Sequence, residues 1–135
     1  MPQLRYRALA HTADLRLLVW GEDERRLIAN AVAGAINLAL GCPPHAAVER
    51  WVPIAPWPGE PAHRLVAAIN EALYQLYTRH EVAVDFRLRG ERGSLGLADL
   101  PARRRPQVEV KAATFHALNV ERRRGRLRAV LTLDV

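Results

Sequence analysis

The chain is 135 residues long, half of them apolar, with a formal net charge of +6. That is the size of one ordinary domain, long enough to bury a core without disulfides or metal staples, and no apolar run approaches the length of a membrane span. The single Cys42 excludes an internal disulfide, and the opening Met1-Pro2-Gln3-Leu4-Arg5 has no apolar signal core, so the cytoplasm is the expected compartment.

Residues 4–9 and 14–20 read as short strands separated by the polar His11-Thr12-Ala13. Gly21-Glu22-Asp23 breaks the pattern, with Asp23 placed to cap a helix. Leu27, Ile28, Ala31, Ala35, Leu38 and Ala39 then follow helical spacing over residues 24–40, and Gly41 stops the run. Residues 48–54 read as a further strand, closed by Pro53, Pro56, Pro58 and Pro61. A second helix is expected over residues 61–79, with proline in its first turn and Leu65, Ile69, Ala72, Leu73, Leu76 and Tyr77 on one face. Residues 82–89 alternate as a strand. The Gly- and Arg-rich stretch 90–106 reads as a loop, with at most a small extended segment near residues 95–97. Residues 107–120 and 126–135 read as two long strands joined by a polar turn around Arg122 to Gly125. Strands and two helices alternate without a regular βαβ rhythm. The expected architecture is therefore α+β: a single domain over residues 1–135, with a largely antiparallel sheet and two helices packed on one face.

Of the 20 Lys+Arg residues all but Lys111 are arginine. A guanidinium is a wide planar fork and an ammonium a compact point charge, so a lysine kept in such a composition marks a place where a fork does not fit, unless it is a chance survivor. The positive charge itself raises nucleic acid as a partner, through Arg103-Arg104-Arg105 and Arg122-Arg123-Arg124. Solvated turns are the plainer reading of both triplets, since little aromatic interleaving accompanies them.

The last hairpin adds geometry. Antiparallel strands pair symmetrically about their loop, so a turn centred between Arg123 and Gly125 gives partners whose numbers sum to about 246–248 and sets Lys111 opposite Asp134, Val135 or a point just beyond. The chain ends in Thr132-Leu133-Asp134-Val135 with no polar tail, the mark of a tethered terminus. Asp14, which opens the second strand, is a third source of carboxylate. Convergent carboxylate and carbonyl oxygens suit a hard divalent cation. An ion pair tying the last strand into the sheet is the equal alternative.

His11-Thr12-Ala13-Asp14, followed by a strand ending in Trp20-Gly21 and an acidic helix start, resembles the opening of the archease family. Val110-Lys111-Ala112-Ala113-Thr114-Phe115-His116 resembles its second signature, and Leu133-Asp134-Val135 its acidic end. Ile69-Asn70-Glu71-Ala72 and Gly90-Glu91 match in order between them, so the resemblance spans nearly the whole chain. It implies a non-catalytic cytoplasmic activator of the GTP-dependent RNA ligase of tRNA splicing and RNA repair, promoting guanylylation and turnover of that ligase. It further implies a divalent metal ion, calcium or magnesium, on Asp14, Asp134 and the main chain of Val135, with Lys111 as the residue needed for activation. Three places depart from the family pattern by losing negative charge: Ala10, the helix start Pro61-Ala62-His63-Arg64, and the loop Asp99-Leu100-Pro101-Ala102-Arg103-Arg104-Arg105.

His11 and His116 are candidates for orienting a metal-bound carboxylate from behind, although packing on the core is the plainer role for His116. His45, His63 and His80 are too scattered for a zinc set. Two other classes of function remain open: a basic RNA-binding module acting through the two Arg triplets, and a small metal- or lysine-dependent enzyme.

Overall fold

A computed structural model of the chain describes residues 5–9, 15–101, 103–114 and 118–135. Asp14, His11 and His116 lie outside the described residues, as does Thr12.

The elements run β1 (Tyr6–Leu9), β2 (Leu15–Gly21), α1 (Glu24–Leu40), β3 (Arg50–Pro53), α2 (Pro61–Arg79), β4 (Glu81–Arg89), β5 (Arg92–Asp99), β6 (Ala112–Thr114), β7 (Val120–Arg123) and β8 (Arg126–Asp134). The α+β architecture is as expected. The strands divide into two antiparallel sheets: one ordered β1-β2-β8-β6 with β7 also on β8, the other β3-β5-β4. Both helices match their expected bounds because their ends carry local stop signals. The Asp23 side chain accepts from the Arg26 N–H, and Gly41 adopts φ 80 with its N–H on the Asn37 carbonyl. At α2, Pro61 opens the first turn and His80 closes it in the left-handed region.

α1 packs against β2 and β4, and α2 against β4 and β6, so the helices bridge the two sheets over one core. The inward side chains of β2 and β8 (Leu17, Val19, Ala129, Leu131 and Leu133) are buried against that layer. Arg64 ties the helix starts together. Its guanidinium donates to Glu24 at 2.7 Å and to the Pro58 carbonyl at 2.8 Å, and stacks 5.4 Å from the Trp57 ring. The basic residue at the start of α2 is thus part of the core's rim.

Two expectations need correction. The stretch read as a loop contains β5, the central strand of the second sheet, paired with β3 and β4 along its length. Glycine concealed it, since glycine normally weakens a strand. Here a Cβ on Gly93 would stand 2.7 Å from the Trp57 indole, and one on Gly96 would stand 2.7 Å from Val48. Close approach of those side chains, which the one-dimensional pattern does not carry, selects glycine. The second correction concerns the strand expected over residues 107–120. Its described parts are β6 and β7 alone, and Gln107 and Val108 instead donate to the Ala39 carbonyl at 2.5 and 3.2 Å, satisfying the open C-terminus of α1.

Gly93→Ala is expected to destabilise the fold by about 1–3 kcal/mol, because the displaced indole is packed against Phe86. Gly59→Ala, with nothing within 4 Å of its added methyl, should stay within about 0.5 kcal/mol of the parent. Urea denaturation of the two variants checks the contrast.

Candidate functional site

The register of the last strands decides where the candidate residues stand. Around the Arg124-Gly125 turn, where both residues have positive φ (53 and 77), partner numbers sum to 249, as in 123 with 126. At the far end they sum to 246, as in 112 with 134. The two paired segments are thus offset by three residues. The expected proximity survives it: Ala112 pairs with Asp134, and the Lys111 N–H donates to the Asp134 carbonyl at 2.7 Å. On its other edge β8 pairs with β2 down to Leu15–Leu133. The residue that follows Asp14 therefore lies beside the residue that precedes Asp134, while Asp14 itself is outside the described part.

Lys111 is held by its neighbours. Val110 and Ala113 are buried, and Lys111 between them is exposed. Tyr77 and Asn70, two turns apart on α2, grip the chain on either side. The Tyr77 hydroxyl accepts from the Val110 N–H at 2.9 Å and donates to the Val108 carbonyl at 3.1 Å. The Asn70 side chain accepts from the Ala113 N–H at 2.8 Å and donates to the Ala113 carbonyl at 3.4 Å. β6 is an edge strand, and Asn70 takes the place of the missing neighbour by satisfying both main-chain groups of Ala113. The result is a lysine presented to solvent on a backbone pinned to α2 and to the end of β8.

Sequence reading does not reveal the positioning roles of Asn70 and Tyr77: periodicity places Tyr77 on the helix's apolar face, and Asn70 only matches a motif. The signal it does contain is a seven-residue spacing that sets both polar tips on one side of α2.

Among the described residues, no carboxylate lies within 4.0 Å of the Lys111 ammonium, and no three His, Cys, Asp or Glu side chains gather into a metal-binding group. Asp134 and Val135 are both exposed at the strand end. One carboxylate with nearby main-chain oxygens falls short of the six to eight oxygens that calcium takes. A resident cation would need a further acid from outside the described part.

Burial pushes the Tyr77 hydroxyl above its usual value near 10; the Val110 hydrogen bond opposes that shift and the Glu109 charge adds to it. A raised folded-state value means that the tyrosine's contribution is complete below pH 10 and is lost as pH rises through the folded value. Tyr77→Phe should accordingly show a shallower loss of stability above pH 10 than the parent in alkaline denaturation. Asn70→Ala leaves the Ala113 groups without their partner and is expected to cost about 1–3 kcal/mol, with faster amide exchange at Ala113 by NMR.

The same constellation is embedded in a chain with recognisable relatives. The model of the Archease protein family matches residues 6–135. "Probable protein archease" of Mycobacterium tuberculosis, in two strains, is 30% identical over 135 residues, covering 96% of this chain and 74% of that protein. The crystal structure of an archease, possible chaperone, from Thermotoga maritima superposes with a TM-score of 0.66 at 17% identity, covering 100% of both chains. The solution structure of Methanobacterium thermoautotrophicum protein 1598 gives a TM-score of 0.70 at 22% identity over 98% of this chain and 100% of that one. The two solved structures share the α+β fold, and the family match over almost the entire length does the rest: the chain belongs to the archease family.

Proposed function

We propose that this protein is a non-catalytic activator of a GTP-dependent RNA ligase, acting in tRNA splicing or RNA repair by promoting guanylylation of the ligase. The observation that carries the reading is the presentation of Lys111. The one lysine of the chain is exposed, its N–H is fixed to the carbonyl of Asp134, and its flanking residues are clamped by Tyr77 and Asn70. A side chain with four rotatable bonds gains little precision from a loose backbone. Pinning the backbone on both sides suits a residue that reaches into a partner.

Asp14, Asp134 and the main chain of Val135 are the residues that would hold a divalent cation, calcium or magnesium, and such an ion would supply positive charge for binding phosphate oxygens. Their chemistry is hard oxygen, with no thiolate and no tight histidine set, so zinc is disfavoured. The register that places Leu15 beside Leu133 supports a shared role for the two acids. His11 and His116 are proposed to orient the carboxylates. In this reading Lys111 contacts a reacting phosphate or a shaped pocket of the ligase, where an ammonium fits and a guanidinium does not.

Mixing the protein with the GTP-dependent ligase of the same cell and measuring ligase guanylylation tests the proposal. Stimulation is expected, and Lys111→Arg should reduce it at least tenfold with a nearly unchanged melting temperature. Full stimulation by Lys111→Arg would reduce the lysine to one charge among many. By calorimetry, Asp14→Asn and Asp134→Asn should each lose calcium or magnesium binding while the fold persists; unchanged affinity in both would remove these acids from a metal site.

A further inference from the structure

The face of the five-stranded sheet turned away from the helices carries a second charged feature, at the opposite end of β8 from Asp134. Alternation along the strands puts Leu17 and Val19 inward and Leu18 and Trp20 outward. The register then sets Arg7 opposite Leu18, Arg128 opposite Trp20, and Arg123 opposite Arg126. Together with Arg124 of the turn, these side chains line a groove of about 440 Å³. The triplet read as a solvated turn is thus divided: Arg122 and Arg123 belong to β7, and Arg123 and Arg124 form one wall of the groove.

Five guanidiniums around one groove repel one another, and little nearby offsets them. Glu121 pairs with Arg128 at 3.6 Å. Among the described residues Arg7, Arg123, Arg124 and Arg126 have no carboxylate within 4.0 Å. Outside the groove, only Arg26, Arg50 and Arg64 among the described residues pair with a carboxylate, so what marks the groove is that four unpaired guanidiniums line the same cavity. The concentration of uncompensated charge here destabilises the free protein and favours an anion with several charged groups. Trp20 adds a half-buried indole in the groove, with the Arg126 guanidinium 5.9 Å from its ring centre. A basic channel containing an aromatic platform is the combination that binds a sugar-phosphate backbone while stacking a base.

We infer that this groove binds a single-stranded segment of RNA, with Arg7, Arg123, Arg124, Arg126 and Arg128 on phosphates and one base against Trp20. The choice of RNA over DNA rests on the ligase reading, whereas the charge of the groove and its Trp20 platform do not, and the assay contains no ligase. The groove and Asp134 lie on the same side of β8, and the six residues from Arg128 to Asp134 span about 20 Å at a strand's rise.

The test uses the full chain and a fluorescently labelled single-stranded RNA of ten to twelve nucleotides, with anisotropy measured over a range of salt. Binding is expected with a slope of about −3 in log K against log salt, the value for about four to five phosphates on a single strand. Arg123→Glu/Arg126→Glu should weaken it at least tenfold. Arg103→Glu/Arg105→Glu, with the same charge change on the distant loop after β5, should weaken it much less. Trp20→Leu should cost about tenfold at constant salt slope, with circular dichroism confirming the fold of each variant. Equal losses in the two double variants would overturn the groove in favour of diffuse net charge. So would tighter binding of duplex RNA, or equal binding of polyphosphate or polyglutamate, since each would show that no base is being read. Absence of RNA binding at low salt would overturn it outright.

Discussion

The two-sided pairing of β8 is the constraint on which the rest depends. One edge is bonded to β2 over seven residue pairs, and the other to β7 at the turn end and β6 at the far end. A strand fixed on both edges cannot slip by one residue without turning Leu131 and Leu133 out of the core and the arginines into it. That register sets Asp134 at one end of the sheet beside Lys111, and Arg126 and Arg128 at the other end beside Trp20.

The exposed residues at both ends derive their positions from buried ones. Lys111 stands between Val110 and Ala113, and the polar tips of Tyr77 and Asn70 supply the hydrogen bonds that an edge strand lacks. At the other end, Trp20 and the arginines are ordered by the inward packing of the alternate residues Val19 and Ala129. The segments at Arg64 and Arg104 have different structural meanings. Arg64 is absorbed by Glu24 and Trp57. Arg104 lies against the Cys42 sulfur and caps the local turn with its N–H on the Pro101 carbonyl at 2.9 Å. Ala10 lies outside the described residues.

Both helices were legible in the sequence because their signals are local: Asp23 as a cap, Gly41 as a stop, Pro61 at a first turn, and apolar spacing between. The closing hairpin was legible in outline, since the polar Arg122 to Gly125 stretch marks a turn, but the turn itself is Arg124-Gly125 and the pair sum beside it is 249 rather than about 246–248 as expected. β5 was not legible. Its glycines are dictated by Trp57, Val48 and Trp51, which reach it from elsewhere in the chain. The strand expected over residues 107–120 is borne out in β6 and at Val120 but not at its start, for a related reason: Gln107 and Val108 have β-compatible sequence but are claimed by the open carbonyl of Ala39.

The sequence by itself determined the α+β class, both helices, the turn, the family and the singular status of Lys111, since each follows from composition, periodicity or motif order. Tertiary structure alone decided the division into two sheets, the Tyr77 and Asn70 clamps and the gathering of five arginines about Trp20. Those features depend on the distance between residues far apart in the chain. A strand's periodicity says which side each residue faces, but only the pairing partner says what it faces with.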